Sequence, residues 1–389
     1  MAESGLSAER VQRNLMLMRA AARGDVDECK ALLKPSGDGE WDGSADVWYA
    51  EDDDVGWDAL HYAADGGHVR VVSLLLRHGA LWNTVDNLGY TAAEVAWTRN
   101  HSKCYSEIFE HGVRQTFLAD LLLRKSGVAN RIDPQEEDTA HIEESENGTE
   151  VIIVPGTNNE VQASNQAFLA SRLKFFRDER GGWRCLDQDD NMVMAEWEND
   201  IMRHSAAALC EGQPEGFSVL NVGFGLGIVD EFFQKYKPGR HVIIEPHPDA
   251  IAFMKQNGWD KREGVEIFEG TWEHFMLDYE RAATLGSFDA IYFDTYSQEY
   301  EDLRKFFDVL PNFLNGPDSR FSFFHGLAAT NQFLYDVYTR VSELDLREIG
   351  FDTTWSIVYP EVHPDTWNGV KRSYWTLDAY YLPIARMQI

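Results

Sequence analysis

An internal repeat near the N-terminus constrains this chain more than any other feature. Gly56-Trp57-Asp58-Ala59-Leu60-His61-Tyr62-Ala63-Ala64 returns in weaker form as Gly89-Tyr90-Thr91-Ala92-Ala93-Glu94-Val95-Ala96, 33 residues further on. Between them, Val69-Arg70-Val71-Val72-Ser73-Leu74-Leu75-Leu76 supplies an apolar second helix that Gly79 ends. An earlier copy is visible in Gly24, Val26 and Leu32-Leu33, which match Gly67, Val69 and Leu75-Leu76 at a displacement of 43 residues. The excess of about ten residues falls in the acidic stretch 36–54, expected to project as a loop. A unit of one turn and two short helices cannot bury its own apolar face. Two to three stacked copies are near the minimum for a continuous core, with a helix over residues 113–123 expected to close the stack.

The period and the Leu60-His61-Tyr62-Ala63 segment resemble the ankyrin repeat. The resemblance implies a side-chain surface for recognising a protein, and little chemistry. The repeats occupy residues 1–127. Residues 128–160, with Asp133-Pro134-Gln135-Glu136-Glu137-Asp138 and Glu143-Glu144-Ser145-Glu146, are polar, acidic and poor in aromatics, and are expected to form a flexible linker. Residues 161–389 form a second domain, as a 389-residue length favours.

The 65 acidic residues against 35 Lys and Arg give a net charge of -30, a field that repels nucleic acid and attracts basic partners. Cys29, Cys104, Cys185 and Cys210 show neither disulfide nor zinc-ligand spacing, so reduced structural thiols are expected. No window approaches a membrane span and the first residues lack an apolar signal core, which sets the expected location as cytoplasmic and nuclear.

From about residue 151 onward, strand-like runs alternate with helical stretches, the pattern of an α/β domain with a largely parallel sheet. The first strand, 217–222, leads into Gly223-Phe224-Gly225-Leu226-Gly227-Ile228, a strand-to-helix glycine turn where a ligand can approach the backbone. The next strand ends in Glu245-Pro246-His247, about 20 residues on, where a carboxylate can accept hydrogen bonds from both ribose hydroxyls. Turn and acid together imply a nucleoside-bearing cofactor. The spacing Gly-x-Gly-x-Gly differs from that of dinucleotide sites, which weakens an NAD dehydrogenase reading. A strand over 288–294 delivers Asp294 to the same sheet edge. Upstream, Met194, Glu198 and Met202 are spaced by four, which predicts one helix face.

Met194-Ala195-Glu196-Trp197-Glu198 with Met202, Val222-Gly223-Phe224-Gly225, Ile243-Ile244-Glu245, Gly270-Thr271-Trp272-Glu273 and Phe293-Asp294-Thr295-Tyr296 together are similar to guanidinoacetate N-methyltransferase. With ankyrin repeats in front, the chain resembles the fungal type IV protein arginine methyltransferases, which act on the internal δ-nitrogen of an arginine. The implied fold is an α/β class I (Rossmann-like) methyltransferase domain preceded by a small all-α ankyrin-repeat domain.

The implied cofactor is S-adenosyl-L-methionine, its methionine portion wrapped by Gly223, Phe224, Gly225, Leu226, Gly227 and Ile228. Glu245 would hold its ribose, Pro246 and His247 would lie beside it, Thr271 and Trp272 would flank adenine, and Met194 and Met202 would line the pocket. Glu198 and Asp294 would grip the guanidino group, Asp294 also facing the cofactor, and no metal is called for. The implied partner is a basic protein presenting an arginine, ribosomal proteins being one such class, with no role for nucleic acid or membrane. Two departures stand out. Asn221 occupies a position where the family places an acid, and Ala328 and Ala329 replace hydroxyl-bearing residues that help hold a small acid substrate. The C-terminal runs Arg372-Ser373-Tyr374-Trp375 and Ala379-Tyr380-Tyr381-Leu382-Pro383 are expected to be strands. Alternative functions are a small-molecule guanidino N-methyltransferase and a non-catalytic ankyrin adaptor.

Overall fold

The computed structural model describes residues 6–35, 41–50, 55–126, 165–296 and 300–388. The chain divides into two compact units, one containing the repeat region and the other the α/β region. The expected linker, 128–160, lies outside the described residues.

The repeat unit is three helix pairs: α1 (Ala8–Arg23) with α2 (Val26–Leu33), α3 (Ala59–Asp65) with α4 (Val69–Arg77), and α5 (Ala92–Thr98) with α6 (Ser102–Ser126). Alanines at the first-helix contacts, Ala20, Ala63 and Ala96, are fully buried and let neighbouring helices approach closely. Leu17, Leu60, Val71, Val72, Leu75 and Ile108 fill the space between. The helix starts carry their own caps. Asp58 accepts the His61 N–H at 3.0 Å, and Thr91 and Glu94 form a reciprocal capping box.

Two expectations change here. Residues 113–123 are not a separate helix but part of the 25-residue α6, since no glycine or proline interrupts it after Gly112. The acidic insertion does not simply project. Its described part folds back on α1: Ala45 and Val47 are buried, and Asp46 accepts hydrogen bonds from Arg10 Nε at 2.7 Å and Asn14 Nδ2 at 2.9 Å. A buried Asn and a carboxylate that answer each other outweigh the loop's polarity.

In the second unit a short helix, α7 (Asn165–Ala170), precedes an antiparallel meander of β1 (Lys174–Arg177), β2 (Trp183–Leu186) and β3 (Met192–Ala195). Then follow α8 (Asn199–Cys210), β4 (Ser218–Val222), α9 (Ile228–Lys235), β5 (Arg240–Glu245), α10 (Pro248–Gln256) and β6 (Val265–Glu269). The chain continues through α11 (Trp272–Met276), α12 (Tyr279–Leu285), β7 (Ala290–Phe293), α13 (Tyr300–Val309), β8 (Arg320–Phe323), α14 (Gln332–Glu348), β9 (Phe351–Val358) and β10 (Tyr380–Met387). The seven-stranded sheet has the order β6-β5-β4-β7-β8-β10-β9. Its first five strands are parallel, and β10 is antiparallel to both of its neighbours.

Strand alternation sorts the core into two faces. Val219 and Tyr292 pack with α8 residues such as Ile201, Met202 and Leu209, whereas Leu220, Val222, Ile291 and Phe293 pack with Phe306, Phe307 and Phe321. From β4 the chain winds outward to β5 and β6, then returns to place β7 on the other side of β4. The crevice at the carboxyl ends of β4 and β7 is therefore the switch point where α/β sheets take ligands.

The predicted helix face through Met194, Glu198 and Met202 is not one helix. Met194 lies in β3, Glu198 closes a 3-10 turn (Glu196–Glu198), and Met202 is in the first turn of α8. Pairing of Cys185 with Met194 across the meander holds that stretch extended. Arg372-Ser373-Tyr374-Trp375 is also not a strand, and β10 begins only at Tyr380. Its rings pack into aromatic clusters instead, Tyr374 against Trp197 and Trp367 and Trp375 against Tyr335.

Candidate active site

Gly223 follows β4 with φ of 94°, and a Cβ there would lie 1.8 Å from the backbone oxygen of Asp294. Only glycine allows the ends of β4 and β7 to come this close. Phe224 turns away from the crevice and packs edge-on against Trp259 at 5.5 Å. Gly225 and Leu226 lie over Met194, whose sulfur accepts the Leu226 N–H at 3.3 Å. Gly227 caps α9, and Ile228 begins it, partly buried against the α8-side core.

Glu245, at the end of β5, is 5% exposed. Its Oε2 accepts the Phe224 N–H at 2.8 Å and its Oε1 the His247 N–H at 2.7 Å. Burial raises its pKa, and those N–H donors work in the opposite direction. A carboxylate is an acceptor with two sites on each oxygen, so capacity is left to receive hydroxyl donors such as those of a ribose. This donor set fits a nucleoside-bearing cofactor. Pro246 is half-buried beside it. His247 is buried, caps α10 by accepting the Asp249 N–H, and packs at 5.1 Å on Phe168 of α7. Phe168 reaches Tyr296 on its other side at 4.4 Å, joining the Glu245 loop to the segment after Asp294.

Thr271 caps α11 and is half-buried. Trp272 is 2% exposed and packs edge-on against Phe293 and Phe306, inside the core face of the sheet. Its ring thus builds the wall beneath the site rather than an open face. Met202 is likewise fully buried, with its sulfur accepting the Tyr292 hydroxyl at 3.4 Å.

Glu198 lies within the electrostatic field of Asp294 at this crevice. Glu198 is 3% exposed. Its Oε1 accepts the Ala195 N–H at 3.2 Å and the hydroxyl of Tyr374 through a short hydrogen bond. Burial pushes its pKa up to about 8, with the Asp294 charge adding to the rise. Asp294, half-buried, is pushed up to about 7 by burial and then by the field of Asp230. Tyr374 and Tyr380 each lie in the field of both carboxylates, as does Tyr292 between β4 and β8. No ion pair among the described residues involves either acid. Two acids in one crevice, neither in an ion pair among the described residues, leave a negative field that a planar, positively charged group would relieve.

Beneath the turn, Asn221 donates its amide to both oxygens of Asp230, at 3.0 and 2.9 Å. His241 contacts Asp230 at 2.9 Å, and all three residues are completely buried. An acid contributed by α9 thus stands against Asn221. No spacing in the sequence announces this, nor the roles of Tyr374 and Phe168, because each meets the site from a distant element. Ala329 is buried in the core and Ala328 adopts φ of 55°.

Residues 17–117 match the family model for ankyrin repeats in three copies. Residues 185–316 match that for guanidinoacetate N-methyltransferase. The chain is 36% identical to protein arginine N-methyltransferase 2 of Cryptococcus neoformans over 366 residues, covering 89% of each. It is 37% identical to the protein of the same name from Aspergillus oryzae, over 81% of this chain and 77% of that one. The Saccharomyces cerevisiae protein of that name is 32% identical, over 80% and 76%.

Proposed function

The chain belongs to the protein arginine N-methyltransferase 2 family, and from that premise we propose that it methylates the internal δ-nitrogen of an arginine in a basic protein, with S-adenosylmethionine as donor. The observation that carries this reading is the pair Glu198 and Asp294, two acids at the β4–β7 switch point, with the charge of Asp294 raising the pKa of Glu198 and neither in an ion pair among the described residues. The charge of -30 favours a basic partner, and the ankyrin surface supplies a second contact for it.

When bound, S-adenosylmethionine supplies an electrophilic methyl group on a sulfonium. The residues that would hold it are the turn from Gly223 to Ile228, Glu245 with Pro246 and His247, Thr271, and Met194 under the turn. Trp272 and Met202 would support this pocket from within the core.

A guanidinium has a pKa above about 12 and delocalised lone pairs, so it is a poor nucleophile until oriented and relieved of a proton. Glu198 and Asp294 take N–H bonds from the terminal NH₂ edges of the planar group. The chain-bearing nitrogen is then the one left to turn toward the methyl donor, which favours δ-methylation over terminal methylation. Asp294 would accept the proton that the guanidinium loses as its internal nitrogen gains the methyl group and the methyl–sulfur bond of the donor breaks. Its raised pKa of about 7 makes it a stronger base than an ordinary carboxylate.

The decisive test is incubation with labelled S-adenosylmethionine and an extract of unmethylated proteins, followed by fragmentation mass spectrometry of the labelled arginine. Methyl on the internal nitrogen is expected. Methyl on a terminal nitrogen overturns the assignment.

A further inference from the structure

Building on the reading of Glu198 as the guanidinium-holding acid, we propose that Tyr374 is a positioning residue that favours the ionised form of Glu198 and leaves its second oxygen to the substrate. Tyr374 lies 176 residues from Glu198 in the chain, in the coil before β10. Its hydroxyl donates to Glu198 Oε1, the same oxygen that receives the Ala195 N–H. Both donors converge on Oε1, so Oε2 is the oxygen left for an incoming N–H.

The direction of the hydroxyl is also fixed. Trp197 Nε1 donates to the Tyr374 oxygen at 3.1 Å, so the phenol receives from the indole and gives to the carboxylate. Each donation polarises the next, which strengthens the hold on a negative Glu198. The ring has little room to swing: it packs on Trp197 at 5.7 Å and edge-on against Trp367 at 5.1 Å. Burial and the Glu198 charge hold the phenol's own pKa well above its ordinary value, so it remains a donor throughout the working range. Burial favours the neutral form of this acid, which cannot neutralise a guanidinium, and the Tyr374 and Ala195 hydrogen bonds work against that.

The test is the pH dependence of methyl incorporation from labelled S-adenosylmethionine into the same protein extract, at limiting protein. In Tyr374→Phe the acid limb should move up by about one pH unit, with a roughly tenfold lower rate at pH 7 that recovers toward pH 9. Binding of S-adenosylhomocysteine should stay within about twofold, because no cofactor contact is removed. A merely structural residue would lower the rate equally at every pH. An acid limb that stays in place overturns the proposal. If Tyr374→Phe gives no cooperative melt, Trp197→Phe takes its place, expected to move the limb the same way by less, and an unmoved limb there also overturns it. Glu198→Gln separates the two levels. If it remains active, the reading of the site itself fails. If it is inactive while the Tyr374→Phe profile is that of the wild type, only the role of Tyr374 falls.

Discussion

The repeat unit and the catalytic unit both bury carboxylates and use them in opposite ways. Asp58 receives the backbone N–H of His61, the His61 ring at 2.8 Å and the Thr84 hydroxyl at 3.0 Å. Asp86 receives the Trp57 indole and the N–H groups of Leu88 and Tyr90. In both cases the fold itself answers the charge. Glu198 is answered on one oxygen only, and the Asp294 carboxylate meets no donor among the described residues. The first arrangement is complete without a ligand, while the second is an electrostatic cost that the proposed guanidinium would relieve.

The largest effect that would break this contrast comes from neutralising each kind of acid. Glu198→Gln and Asp294→Asn should each lower turnover more than 100-fold, about 3 kcal/mol of transition-state stabilisation, while the melting temperature holds or rises because a buried repulsion is removed. Asp58→Ala should do the reverse, costing about 1–2 kcal/mol of repeat-unit stability through loss of a helix cap. Steady-state rates and thermal melts on the three variants decide the matter. A Glu198→Gln protein that melts as low as Asp58→Ala would show that the two acids play the same structural role.

Glycines sharpen the comparison. Gly79 has φ of 85° with open space where a Cβ would stand, whereas Gly223 has φ of 94° and faces the Asp294 carbonyl. Gly79→Ala should therefore cost only the left-handed strain of about 1–2 kcal/mol. Gly223→Ala must in addition force apart the ends of β4 and β7, so a larger loss of stability is expected together with loss of S-adenosylhomocysteine binding by calorimetry. Equal melting shifts in the two variants would contradict the close approach at the crevice.

The repeat unit was legible in the sequence because its information is local. A 33-residue period, caps at Asp58 and Thr91 and glycines at turns specify helix pairs that contact only neighbouring copies. Where it was misread, at residues 41–50, the deciding contact joins Asp46 to Arg10 and Asn14, more than 30 residues away. In the catalytic unit the strands leading to Gly223, Glu245 and Asp294 are equally legible, since each is a largely hydrophobic run that stops at a glycine or an acid. The spacing of Met194, Glu198 and Met202 misled because a period of four does not reveal that β3 pairs with β2. Asp230 beside Asn221, and Tyr374 on Glu198, depend on tertiary approach, which periodicity does not encode.

The smallest effect is in the pH dependence of stability, and it separates the units by window. Glu198 and Asp294 have folded pKa values of about 8 and about 7 against ordinary values of 4.5 and 3.8, so the folded state keeps protons that the unfolded chain has released. Their contribution to stability therefore falls as pH rises from about 4 toward 8. His61 is different in origin. Burial opposes its charged form, but the Asp58 hydrogen bond and charge prevail and raise its pKa above 6.5. The stability it adds is fully present below that value and is lost as pH rises through the folded one. Between pH 5 and 6, then, the protection of catalytic-unit amides in hydrogen exchange should decline relative to that of repeat-unit amides, and Glu198→Gln should reduce that decline. Above pH 6.5 the repeat unit should begin to lose protection, and His61→Ala should abolish that part. If protection in both units changes together between pH 5 and 6 and Glu198→Gln leaves the pattern intact, Glu198 is not held in the uncompensated state on which the contrast rests.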